Sequence, residues 1–84
     1  MTDIQYIRIK HFLTMLEERG IKNDWITKAI QSPDEIEDQN DGTRHFLKRI
    51  PEHGGRWLRV VINCSIKPNR AVTAFFDRRI RSKT

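Results

Sequence analysis

The stretch RHFLKRIPEHGGRWLRVVINCSI, residues 44–66, decides the fold. In its second half Leu58, Val60, Ile62, Cys64 and Ile66 alternate with Trp57, Arg59, Val61 and Asn63. Successive side chains of a strand point to opposite faces, so this alternation predicts a β-strand over 56–66 with its aliphatic row packed inward. The other row presents an aromatic ring, a guanidinium and an amide. Thr43–Ile50 predicts a second strand, and PEHGG, with a proline and two glycines, closes the two into a hairpin.

Working outward, KPNR (67–70) is a turn and AVTAFF (71–76) a last strand. Its alternation assigns Val72, Ala74 and Phe76 to the core and Ala71, Thr73 and Phe75 to the other side, with Thr73 beside Arg59. Toward the N-terminus, Gln39–Gly42 is a polar turn and Glu35–Asp38 a short acidic strand. Before Pro33 the period changes to helical. HFLTMLEERG carries Phe12, Leu13, Met15 and Leu16 on one stripe and stops at Gly20. A helix starting near Lys10 after a short extended segment is favoured over one reaching back to a Thr2–Gln5 capping box. NDWITKAIQSP predicts a second helix, capped by Asn23 or Asp24, with Trp25, Ile26, Ala29 and Ile30 inward and Pro33 blocking its continuation.

The expected architecture is therefore α+β: a helical hairpin (1–33) on one face of a four-stranded, mainly antiparallel sheet (34–77), followed by a basic tail (78–84). At 84 residues the chain is one domain. Leu, Ile, Val and Phe number 22, enough for a folded core. No run approaches a transmembrane length and MTDIQYIRIK lacks signal-peptide features, so a cytoplasmic protein with no membrane partner is expected. The lone Cys64 and three scattered histidines offer no metal-ligand spacing, and nothing calls for a cofactor.

Charge is segregated along the chain. Residues 1–43 hold five basic and nine acidic side chains, net −4, whereas residues 44–84 hold eleven basic and two acidic, net +9. A cationic C-terminal half suits phosphates or acidic proteins. The helix-free face of the sheet presents Trp57, Arg59 and Asn63, joined by either Arg44 and Lys48 or His45 and Arg49, a register that the sequence leaves open. Arginine forks and an exposed indole interleaved on a sheet suit single-stranded nucleic acid.

In order and spacing, HFLTMLEERGI, AIQSP, RHFLKRI, GGRWLRVVI and AVTAFFDRR resemble a family of small uncharacterised bacterial domains. That family is similar to RelE-like ribonuclease toxins of toxin–antitoxin systems, and to barnase- and colicin-like ribonucleases with a helical hairpin on a four-stranded sheet. The resemblance runs from about Ile7 to Arg79 and matches at His11, Arg19, Gly20, Pro33, Arg44, Arg59 and Thr73. It departs where an aromatic after Thr73, often Tyr, is Phe75 or Phe76, which removes a phenol hydroxyl.

The resemblance implies a toxin that cleaves RNA without a metal, or binds RNA to block translation, and is held inactive by an acidic antitoxin. The alternative is a non-catalytic module of the same fold that binds RNA or an acidic protein. RNA cleavage needs a base for the 2′-hydroxyl, cations for the phosphorane and an acid for the leaving 5′-oxygen. Histidine as a residue type titrates near neutral pH, so His11 or His45 is the expected base or acid. Arg59 suits the phosphorane and Thr73 a phosphate oxygen. Arg44, Arg49, Trp57, Arg59, Arg78 and Arg79 are the expected RNA-binding set, and Cys64 is a small buried hydrophobe rather than a nucleophile.

Overall fold

A computed structural model describes residues 6–80. The Thr2–Gln5 capping box and the tail from Arg81 onward, Lys83 included, lie outside the described residues. Ile7 bridges in parallel to Arg70, after which helix α1 runs Lys10–Glu18 and helix α2 Asn23–Gln31. Strands β1 (Glu35–Asp38), β2 (Thr43–Ile50), β3 (Arg56–Asn63) and β4 (Arg70–Phe76) follow as an antiparallel meander in the order β1-β2-β3-β4. A 3-10 turn, Pro51–His53, joins β2 to β3.

The helix ends follow the local chemistry. Gly20 adopts φ +66°, and its N–H and that of Ile21 bond the carbonyls of Glu17 and Leu16, the paired bonds of a Schellman stop. Ser32 and Pro33 end α2 as the sequence predicts. Its start differs: Lys22 is the capping position and no side chain caps it, while Asn23 Oδ1 accepts from Arg8 Nη1 at 2.9 Å.

Both helices cover one sheet face. Phe12, Leu16, Trp25, Ile26, Ala29 and Ile30 pack with Phe46, Ile50, Leu58, Val60 and Ile62, all buried. His53 stacks on Phe76 at 4.4 Å beside Trp25, so this histidine is a packing group at the core's margin. Leu13, expected on the apolar stripe, is exposed.

Three expectations for the strands are corrected. First, β3 ends at Asn63 instead of Ile66, because the Asn63 side chain accepts from the Ser65 N–H at 3.0 Å and its hydroxyl at 2.7 Å, bending the chain. Ile66 is consequently exposed and Cys64 half-buried. Second, Ile62 pairs with Ala71 but Val61 with Thr73, so Val72 is the extra residue of a β-bulge. The bulge turns Val72 out, 45% exposed, and buries Ala71 with Ala74. Third, the helix-free face is not wholly open to water, since Leu47, Val61 and Arg59 on it are buried.

Candidate functional site

The β2–β3 register settles which side chains share the helix-free face. His45 lies opposite Val61, Leu47 opposite Arg59 and Arg49 opposite Trp57, so His45 and Arg49 join Trp57 and Arg59. Glu37 of β1 pairs with His45 and enters the same face. Arg44 and Lys48 point to the other side, where Arg44 pairs with Asp38 and Lys48 with Asp34.

These placements converge on Arg59. Its Nη1 lies 2.9 Å from Glu37 Oε1 and 2.8 Å from His45 Nδ1, and its Nε donates to Asp77 Oδ2 at 2.8 Å. Asp77 follows β4 directly and its side chain is 2% exposed. It also accepts from Arg79: Oδ1 from the backbone N–H at 2.9 Å and from Nε at 3.0 Å, Oδ2 from Nη2 at 3.0 Å. One buried carboxylate thus holds a buried and an exposed guanidinium together.

The proton positions on His45 follow from donor chemistry. A guanidinium only donates, so Nδ1 accepts from Arg59 and the neutral ring carries its proton on Nε2. Nε2–H then donates to Thr43 Oγ1 at 3.3 Å, and the Thr43 hydroxyl donates to Asp41 Oδ1 at 2.6 Å. Burial, and next the Arg59 cation, hold His45 below the usual imidazole pKa, while Glu37 and Asp41 pull the other way. Arg79's hydrogen bonds, opposed by burial and joined by those of Arg59, hold the Asp77 carboxyl far below the usual carboxylate range.

The remaining sequence-predicted residues fall elsewhere. His11 is exposed on α1, which packs on the opposite sheet face, so the sheet separates it from Arg59. Thr73 pairs with Val61, but its hydroxyl is engaged by α1 at the sheet edge: it lies 3.2 Å from Met15 Sδ and accepts from Arg19 Nη1 at 3.3 Å. The same Arg19 nitrogen donates to the Ala74 carbonyl at 2.8 Å. Arg59 is no open-face cation but 9% exposed at the centre of a network. Arg49 is exposed, its Nε donating to the Gly55 carbonyl at 3.1 Å, and Arg78 is exposed. Trp57 is half-buried.

Sequence reasoning missed Glu37, Asp77 and the Asp41–Thr43 relay. Asp77 carried a signal, being the lone acid in FFDRRIR; Glu37 carried one only once the register was known.

Fold and site together define a small α+β domain whose sheet carries a histidine–arginine–carboxylate cluster on the face away from its helices. Residues 9–76 match the family DUF4258, a domain of unknown function, and the chain belongs to it. No curated protein and no solved structure matches the chain. Among the described residues, no group of three or more His, Cys, Asp or Glu could hold a metal ion, and no helix is long and apolar enough to cross a membrane.

Proposed function

We propose that this protein is a ribonuclease of the RelE-like toxin kind, cleaving RNA through the 2′-hydroxyl with Glu37, Arg59 and His45. The observation that carries the reading is that a carboxylate and an imidazole lie within 2.9 Å of one guanidinium nitrogen, from three neighbouring strands. These are a base, an acid and a cation, the groups that in-line attack on a phosphodiester requires.

In this mechanism a phosphate oxygen docks on Arg59 and competes with Glu37 and His45 for Nη1. The released Glu37 carboxylate takes the proton of the 2′-hydroxyl, whose oxygen forms a bond to phosphorus as the bond to the 5′-oxygen breaks. Arg59 balances charge on the five-coordinate phosphorus, and Asp77 keeps its guanidinium oriented through Nε. Protonated His45 gives its proton to the leaving 5′-oxygen. The exposed Arg79 and Arg78 extend the cationic path along the backbone, and an acidic antitoxin covering this face would inhibit.

A second reading, a non-catalytic RNA- or acidic-protein-binding module, is favoured by one feature: Arg59 Nε and Nη1 already have acceptors within the protein. The two readings separate on RNA incubated in chelator with wild type, His45→Ala and Glu37→Gln. Cleavage by wild type, falling about 100-fold or more in either variant at unchanged thermal stability, supports the ribonuclease. Binding without cleavage by wild type leaves the module, and cleavage equal in all three removes the assigned roles.

A further inference from the structure

The four charged groups bonded around Arg59 balance before any ligand arrives, with the exposed Asp41 lying further out behind Thr43. Arg59 and Arg79 are offset by Glu37 and Asp77, while His45, accepting from Arg59 through Nδ1, is neutral. A phosphate docked on Arg59 adds negative charge to a partly buried, balanced set. It also draws Nη1 from His45, leaving the Nδ1 lone pair facing an anion with no donor between them. A second proton on the ring answers both: it restores the charge and supplies a donor to the phosphate.

We propose that a phosphodiester docks on Arg59 by displacing His45 from Nη1, and that His45 takes up one proton from solvent as it does so. This rests on the RNA-directed reading of the site and deepens it, because the general acid is then created by the substrate's own arrival. The surroundings of the ring fit such a role. Asp41, at the head of β2, faces it through Thr43, Glu37 faces it from β1, Arg59 from β3, and Asp77 and Arg79 beyond β4 act on it through Arg59. With Arg59 turned to the ligand, the nearest remaining charges, Glu37 and Asp41, both favour an imidazolium. Thr43 is a positioning residue: by accepting from Nε2 it leaves Nδ1 as the atom that faces the phosphate.

Binding and protonation are then reciprocal, so the anion raises the pH at which His45 titrates and protonation tightens the anion by the same factor. The probe is dimethyl phosphate, which stays a monoanion from about pH 5 to pH 8, the interval in which an imidazole titrates. NMR on the full chain follows the His45 ring nitrogens and Arg59 Nε through that interval, with equal sodium chloride as the reference. Arg59 Nε moves on adding dimethyl phosphate, the His45 titration shifts to higher pH while those of His11 and His53 stay, and affinity is about fivefold or more tighter at the acid end. In His45→Gln, whose side chain does not titrate, binding persists and loses its pH dependence. Movement of Arg59 Nε with His45 unshifted overturns the coupling and leaves the phosphate reading standing. If neither group responds, both fall.

Discussion

Asp77→Asn is the sharpest probe of how the cluster is built, because it changes charge and donor pattern at nearly constant volume. The Asp77 oxygens accept four hydrogen bonds, from Arg59 Nε, Arg79 Nε, Arg79 Nη2 and the Arg79 backbone N–H. An asparagine there has one accepting oxygen and an NH2 that only donates, so whichever way it turns, N–H groups meet N–H groups. The Arg79 side chain, 80% exposed, can turn to water; the buried Arg59 side chain cannot. The amide therefore keeps its oxygen on Arg59, and the loss is the charge of a buried pair together with the bonds to Arg79. Breaking such a pair costs about 3–5 kcal/mol when nothing compensates, and one retained bond from the amide oxygen reduces this to about 2–4 kcal/mol. Against a total stability of about 4–12 kcal/mol for a chain of this size, that is a large fraction. With a urea slope of about 1 kcal/mol/M, the unfolding midpoint falls by about 2 M or more at neutral pH.

The pH dependence provides an independent check of the same reasoning. Asp77 titrates far lower folded than unfolded, where its pKa is about 3.9, so its contribution is complete above that value and is lost as pH falls below it. The gap between wild type and Asp77→Asn is accordingly constant near neutrality and narrows below about pH 4. A loss under about 1 kcal/mol at pH 7, or a gap that does not narrow in acid, refutes the assignment of Asp77 as the buried anchor of both guanidiniums.

Two further outcomes follow from the geometry. Arg78→Ala and Arg79→Ala, both at exposed positions, each lower the slope of log affinity for single-stranded RNA against log salt by about 1, measured by fluorescence anisotropy; unchanged slopes would take the RNA path away from this end of the sheet. At the bulge, Val72→Ala stays within about 0.5 kcal/mol of wild type in urea unfolding, whereas Ala74→Val, at a fully buried position, costs about 1–3 kcal/mol by overpacking. A cost of about 2 kcal/mol or more for Val72→Ala would mean that Val72 is buried and β4 pairs without the bulge.

Most element boundaries were legible because they rest on local chemistry, the end of β3 at Asn63 and the cap of α2 being the exceptions. Gly20, Pro33, the PEHGG turn and the alternation of Leu58, Val60 and Ile62 each act within a few residues, and the helices and strands stand where these signals put them. What stayed hidden depends on pairing across strands. A bulge adds one residue without altering composition, so strict alternation in AVTAFF assigned Val72 to the core and Ala71 outward, the opposite of what is found. The site was hidden for the same reason. His45 and Arg59 are 14 positions apart and Glu37 and Arg59 are 22, and only the register of three strands makes them neighbours. His11 drew attention as a titratable residue at a helix start, yet which sheet face a helix covers is a tertiary fact.

The charge segregation has two destinations, which the linear sequence does not distinguish. Much of the acidic excess in residues 1–43 is folded back onto the basic half: Asp34 meets Lys48, Asp38 meets Arg44 and Glu37 meets Arg59. Acidic β1 lies beside basic β2 and reaches one strand further to Arg59 of β3, so part of the asymmetry specifies strand order rather than a partner. Exposed ion pairs such as Asp38–Arg44 contribute little energy each, about 0–1 kcal/mol, but like charges across the same positions would repel, which favours this meander over its alternatives. The net charge of +5 survives this internal matching, and exposed cations such as Arg49, Arg56, Arg70 and Arg78 are available to a partner. Steering of a polyanion is therefore a property of this outer set, whereas the cluster at Arg59 is neutral until occupied. On the reading proposed above, a site so divided would attract RNA over its surface and commit charge only where a phosphate displaces the protein's own acceptors.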